Sequence, residues 1–273
     1  MGLARQAVAR LQDRLDPRLF APLASVLMTI KRKDRCAVRL TDGDWIHRYR
    51  TGTVVQPFLG GESADGQDRN TSDIFLHGYR PKPGDTVFDL GAGTGSEARL
   101  LSRLVGPEGR VISVEAHPRI FACLKRTVEL NRLENVTAVH CAVAGVPGTV
   151  FLQDDLERHV SNGITLDPEN SIAVPGRTLV DLVDQYGTGG VDLLKMNIEG
   201  AELPVLAAAG RVLPLIRNLV VSCHDFKADR VGGDWQRTYV PVRELLAENH
   251  YRLQARRADQ RPWVPFYIYA ARE

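Results

Sequence analysis

The chain has 273 residues, 44% of them hydrophobic and 25% charged, a globular composition long enough for one large core with an appendage. Its formal net charge of +2 argues against a dedicated nucleic-acid binder. That charge is unevenly spread: up to Arg50 there are 11 Lys and Arg against 5 Asp and Glu, and beyond it 24 against 28.

Residues 1 to about 33 predict one or two amphipathic helices, with Leu3, Ala7, Leu11 and Leu15 at helical spacing, Arg5, Arg10 and Arg14 nearby, and a break at Asp16-Pro17. The first reading is a helical cap on the core. The alternatives are contact with a membrane surface through this basic helix, or a dock for an acidic partner such as a carrier protein. The apolar stretch Leu19 to Ile30 is interrupted by Pro22 and falls short of the roughly 20 residues that span a bilayer. Asp13 and Asp16 precede it and no small-residue cleavage site follows, which speaks against a signal peptide and for a cytoplasmic location.

Two β-rich runs, Cys36 to Leu40 and Trp45 to Tyr49, flank Thr41-Asp-Gly-Asp44, whose Asp-Gly pair signals a hairpin. Gly60 to Thr71, rich in Gly, Asp, Ser and Asn, is expected to be a loop beside the site. After Pro83-Gly84 short apolar strands alternate with helices, the pattern of a parallel sheet covered on both faces. Strands are expected at Thr86 to Leu90, Arg110 to Glu115, Val136 to His140, Val191 to Met196 and Asn218 to Cys223. Helices are expected at Ser96 to Val105, Pro118 to Asn131, Thr178 to Tyr186 and Gly200 to Leu213. A helix near Val242 to Glu248 and strands Arg252 to Ala255 and Trp263 to Ala270 close the sheet as an antiparallel hairpin. Cys36, Cys123, Cys141 and Cys223 form no CxxC pair, so neither a zinc knuckle nor a disulfide framework is indicated.

The chemistry concentrates at Val87-Phe-Asp-Leu-Gly-Ala-Gly-Thr-Gly-Ser96, a buried strand ending in an acid, then glycine at every second position before a helix. Gly91, Ala92, Gly93, Gly95 and Ser96 would bring backbone close to a ligand, where a side chain would collide or a positive φ is needed. Asp89 at the strand tip could accept hydrogen bonds from the ammonium of S-adenosyl-L-methionine. A nicotinamide dinucleotide would prefer a third glycine where Ser96 stands and would meet Asp89 with its pyrophosphate, so it fits less well. A purely structural tight turn is the third reading. Glu115, about twenty residues on, can accept both hydroxyls of a ribose and supports either cofactor. Ala116 follows it, and Cys141-Ala142-Val143 stands where an adenine could meet apolar side chains.

These residues resemble the FkbM-type S-adenosylmethionine-dependent methyltransferases over about Thr86 to Asp225. The resemblance rests on the glycine turn, on Val114-Glu-Ala-His-Pro118, on Leu130-Asn131 with Asn135-Val136, and on Leu194-Lys-Met-Asn-Ile-Glu-Gly-Ala-Glu202. The last block is the most specific, and this chain departs from it by carrying Asn197 where the family has an aspartate. The resemblance implies an α/β, Rossmann-like class I methyltransferase fold: a mostly parallel seven-stranded sheet with a C-terminal antiparallel hairpin. Residues 81–273 would form the cofactor-binding domain and residues 1–80 a helical and β-hairpin extension. It implies O-methylation of a hydroxyl on a sugar or secondary metabolite, with S-adenosyl-L-homocysteine as product. The acceptor would be a small molecule, carrier-bound and glycosylated ones included; no nucleic-acid partner is expected, and a homodimer is compatible with the reading. Asn197 is a poor Mg²⁺ ligand, so no obligatory metal is expected.

Ligands of open α/β sheets bind outside the carboxyl ends of the strands, where Asn197, Glu199, His224 and Asp225 collect. His224 is the first candidate for the base that an alcohol acceptor needs, oriented by Asp225 or Glu199. Glu199 could instead cap a helix beginning at Gly200, and Lys195 could pair with a carboxylate. His140 and His159, the latter in the polar segment Asp154 to Asn170, are weaker base candidates. An N- or C-methyltransferase acting on a small molecule and a non-catalytic cofactor-binding protein are the rival readings.

Overall fold

In the computed structural model, which describes residues 16–153, 171–187, 189–229 and 233–272, the chain begins with helix α1 (Pro17–Arg32). The helical pattern expected at Leu3 to Leu15 lies outside the described residues. Phe20, Ala24 and Met28, one face of α1, pack on Val38, Trp45 and Val54 of an antiparallel sheet made of β1 (Ala37–Thr41), β2 (Asp44–Tyr49) and β3 (Gly52–Gln56). The expected hairpin forms: Thr41 pairs with Asp44 across Asp42-Gly43, whose φ values of 53° and 79° are both positive, as a tight two-residue loop requires. The third strand extends the predicted hairpin by one.

The segment expected to be a loop is instead largely helix α2 (Ala64–Ile74), capped by the Ser63 hydroxyl, which accepts from the Gly66 amide at 3.1 Å. The correction has a specific cause. Arg99, only 2% exposed, donates to Gln67 Oε1 and to the Ala64 carbonyl, each at 2.9 Å, so polar residues that read as solvated are buried against a guanidinium.

The main sheet takes the order β12-β13-β11-β10-β4-β5-β6, with β4 (Thr86–Leu90), β5 (Arg110–Glu115), β6 (Val136–His140), β10 (Leu193–Met196), β11 (Asn218–Ser222), β12 (Arg252–Gln254) and β13 (Tyr267–Ala271). The predicted late pair is antiparallel, and β13 lies between β12 and β11, antiparallel to both. The remaining pairs are parallel, so this is the expected Rossmann-like α/β sheet of seven strands. Helices α3 (Ala98–Val105), α4 (Pro118–Leu130), α5 (Leu179–Tyr186), α6 (Glu202–Ala207) and α7 (Tyr239–Glu248) cover it. The single helix expected from Gly200 to Leu213 is broken: α6 ends before Gly210, whose φ of 45° starts a separate 3₁₀ stretch to Leu215.

Strand alternation divides the core in two. Phe88, Leu90, Leu194 and Met196 face a cluster with Leu182 and Val205, while Val87 and Leu193 face one with Leu101, Val105 and Ile74. The extension is fastened to the sheet domain by Asn131, which accepts from the Thr53 amide and donates to the Thr53 carbonyl, both at 2.8 Å, and by Asp44, paired with Arg119 and Arg126. A small sheet of β7 (Ala142–Val143), β9 (Ser171–Arg177) and β8 (Gly148–Gln153), not foreseen, follows β6. The polar segment Asp154 to Asn170, with His159, lies outside the described residues.

Candidate cofactor site at the carboxyl edge of the sheet

A cavity of about 610 Å³ opens where β4, β5, β6 and β10 end, a size within the range of about 300–1,000 Å³ usual for small-molecule sites. Gly91, Ala92, Gly93, Ser96, Glu115, Ala116, Ala142 and Asn197, all expected around a cofactor, line it. Seven residues of the extension, among them Gln56, Phe58 and Gln67, line it too, so the described part of the extension shares a wall of this cavity.

The three turn glycines serve different ends. A Cβ on Gly91 would stand 1.9 Å from the Asn197 carbonyl, so this glycine lets β4 and β10 turn past each other. A Cβ on Gly95 would press on Leu124 and Thr127 of α4. Only Gly93, at φ 55°, faces open space on the cavity wall, and only there is the room left for a ligand. The neighbouring Gln56 Oε1 is buried without a hydrogen-bond partner while its Nε2 donates to Thr94 Oγ1 at 3.1 Å. An unmet buried acceptor beside an open glycine fits a polar ligand bound here.

Glu115 sits at the end of β5 as expected. Its carboxylate accepts from the Gly93 amide and the His117 amide, each at 2.9 Å, which locks its orientation and leaves lone pairs for two hydroxyls. Burial raises its pKa, with those amides opposing. Beyond it, Ala116, Ile120, Cys141, Ala142 and Leu152 make an apolar slot suited to a flat ring.

Asp89, expected to meet the cofactor's ammonium, is at the strand end but not on the cavity wall. It is fully buried and does not reach the cavity, because the parallel register sets Lys195 directly beside it and the two form an ion pair at 2.9 Å. Lys195 also donates to the Gly91 carbonyl at 2.7 Å, so the pair braces the glycine turn from behind. The carboxylate that lines the cavity at this end is Glu97, which is not among the residues expected there. Burial lifts its pKa to about 7, with Lys195 opposing and Asp89 adding. Its signal in the sequence was a lone acid two residues beyond the last turn glycine, at a position where the helix buries its inner face.

At the other end Glu199 lines the cavity beside Asn197. It does not cap a helix: Ala201 occupies that position, and Glu202 accepts from the Ile198 amide at 3.2 Å. Glu199 has a φ of 60°, an uncommon conformation for a residue with a side chain, and its carboxylate is held by Lys227 and by His224 Nε2 at 3.3 Å. Burial raises its pKa, but the contacts with His224 and Lys227 bring it below the usual carboxylate value.

His224, expected as the base, is 2% exposed, does not line the cavity, and also has Nδ1 3.0 Å from Glu202 Oε1. Burial disfavours its charge, yet the two carboxylates outweigh it and push its pKa up to about 9. An imidazole that already holds its proton at neutral pH cannot take another. Asp225 does not orient His224; it accepts from the Thr238 and Tyr239 amides at 3.1 and 2.9 Å. His140 is occupied as well, bonded to the Ala116 carbonyl at 3.0 Å and stacked on Phe121.

The methyltransferase FkbM domain matches residues 89–253, more than half of the chain. The chain belongs to the FkbM methyltransferase family. Its cofactor is S-adenosylmethionine, and the cavity with its open Gly93, oriented Glu115 and apolar slot fits that molecule. Among curated proteins, the 31-O-demethyl-FK506 methyltransferase FkbM of Streptomyces tacrolimicus is 29% identical over 181 residues, covering 55% of this chain and 69% of that protein. The 2-O-methyltransferase NoeI of Sinorhizobium fredii is 24% identical over 185 residues, covering 60% and 75%. Other relatives match over short segments: the chain covers 26% of a Thermotoga maritima protein-L-isoaspartate O-methyltransferase and 14% of a Halobacterium salinarum arsenite methyltransferase. The solved FkbM methyltransferase of Methylobacillus flagellatus overlaps 73% of this chain and 47% of its own, at 18% identity and a TM-score of 0.49.

Proposed function

We propose that this FkbM-family protein methylates a hydroxyl of a small molecule, a sugar or a hydroxylated secondary metabolite, with Glu199 as the proton acceptor. The observation that carries this reading is Glu199 itself: a carboxylate on the cavity wall in a costly backbone conformation, ionised at neutral pH and aimed by two cations. The bound sulfonium supplies an electrophilic methyl group. An attacking hydroxyl becomes strongly acidic as its oxygen gains the methyl, so a weakly basic carboxylate suffices to take the proton, provided that it is ionised and in place. His224 and Lys227 are positioning residues here, keeping Glu199 ionised. At the opposite end Glu97, rather than Asp89, receives the ammonium of the methionyl part, while Glu115 holds the ribose. The activities for which the two O-methyltransferase relatives are named support a hydroxyl acceptor.

The test is incubation with methyl-deuterated cofactor and a panel of sugars, glycosides and hydroxylated metabolites alongside matching amines, read by mass spectrometry. Labelled ethers, lost in Glu199→Gln with cofactor affinity unchanged, are expected. Labelling of amines alone, or full turnover by Glu199→Gln, overturns the reading.

A further inference from the structure

Helix α1 buries one face and leaves the other without a partner among the described residues. Leu19, Leu23, Val26 and Ile30 recur at intervals of four, three and four, which places them in one stripe, and they are 70%, 40%, 56% and 70% exposed. Isolated exposed apolar residues need no explanation, whereas an aligned set of four marks an interaction surface. Directly after Ile30 come Lys31, Lys33 and Arg35, all exposed, with Asp34 the one acid among them.

From this stripe and its basic end we infer that α1 lies on the surface of an anionic lipid bilayer. The helix has 16 residues, and no described helix is long and apolar enough to cross a membrane, so its apolar face can enter the headgroup boundary without spanning it. Lys31, Lys33 and Arg35 then meet the negative lipid surface. A parallel contact with a second copy of the chain would set the basic ends against each other, whereas an anionic bilayer meets all of these cations at once. The stripe is the convex outer side of a helix and offers no pocket for the anchoring side chains of a protein partner, which a fluid lipid surface does not require.

The position of α1 ties this surface to the cofactor cavity. Arg32, in the last turn, donates to Glu62 Oε1 at 3.0 Å and also to the Gly61 carbonyl, and both residues line the cavity. These bonds fasten the inner side of α1 directly to residues of the cavity wall.

The experiment is flotation of the full chain with vesicles of phosphatidylcholine mixed with phosphatidylserine and with vesicles of phosphatidylcholine alone, at low and high salt. The double variant Leu23→Glu, Ile30→Glu is run in parallel. Both side chains lie outside the cavity, so the variant should keep the wild-type melting temperature and cofactor affinity. The expected result is salt-sensitive flotation with the anionic vesicles only, weakened at least about tenfold in the variant. Three results overturn the inference: no flotation of the wild type at low salt, equal flotation of the variant, or a wild-type dimer that becomes monomeric in the variant without binding lipid.

Discussion

The assignment of Glu97 to the cofactor's ammonium makes a quantitative claim about pH. Burial lifts this carboxyl to about 7, with Lys195 opposing and Asp89 adding, while Arg99 is the other charged group that bears on it. A carboxyl with a raised pKa is neutral below that value and charged above it, so it attracts a cation only as the pH rises. If the ammonium binds the ionised form alone, the competent fraction grows from about a tenth near pH 6 to about nine tenths near pH 8, roughly tenfold or about 1.4 kcal/mol. Isothermal titration of S-adenosylmethionine across this range, in buffers of different ionisation enthalpy, should show tighter binding at higher pH and about half a proton released near pH 7. The ligand's own amine also titrates in this region, so the comparison that matters is with Glu97→Gln, which should lose the slope. That variant should bind about ten- to a hundredfold more weakly at the upper end, as when a charge-assisted hydrogen bond of about 1.5–3 kcal/mol is removed. Methylthioadenosine, which lacks the ammonium, should bind the two proteins alike. An unchanged pH slope in Glu97→Gln, or equal losses for both ligands, would refute the assignment.

Three further outcomes follow from the geometry. Lys195→Met leaves Asp89 charged and buried without its cation and should cost about 3–5 kcal/mol in denaturant unfolding, while the double variant with Asp89→Leu should recover much of that. His224 has its folded pKa raised to about 9, so the stability it contributes is fully present below about pH 6.5 and is lost as the pH climbs through 9. The stability gap between wild type and His224→Gln, on the order of 3 kcal/mol at its largest, should therefore close over that window, and a gap independent of pH would mean that the imidazole is neutral. Gly91→Ala should fail to fold, given the Asn197 carbonyl 1.9 Å from the new Cβ, whereas Gly93→Ala should fold with a loss of about 1–2 kcal/mol for its left-handed φ and bind the cofactor poorly. Equal behaviour of the two would contradict the separate roles given to these glycines.

The strands of the main sheet and the location of the site were legible because they rest on local signals. Alternating apolar strands and helices announced the sheet, and the glycine turn with Glu115 after the next strand announced the cavity; of the residues expected around the cofactor, all but Asp89 and Gly95 lie on its wall, whereas His224 and Asp225 do not. What the sequence concealed depends on which charge meets which. Asp89 and Lys195 are 106 positions apart, and only the register between β4 and β10 shows that they neutralise each other. His224 seemed poised to titrate near neutrality because nothing in the sequence reveals two carboxylates, one from α6 and one from the preceding loop, closing on both ring nitrogens. Helix α2 was hidden for the same reason: its polar residues look solvated until Arg99 is found beneath them. These three misses share one physical origin, since periodicity reports which side chains leave water but not which buried charges they find there, and a buried charge takes its pKa and its role from that partner. Catalytic assignment in such a site must therefore follow the ion pairs rather than the residue types, which is why Glu199, held charged by its neighbours, displaces the histidine that an isolated reading prefers.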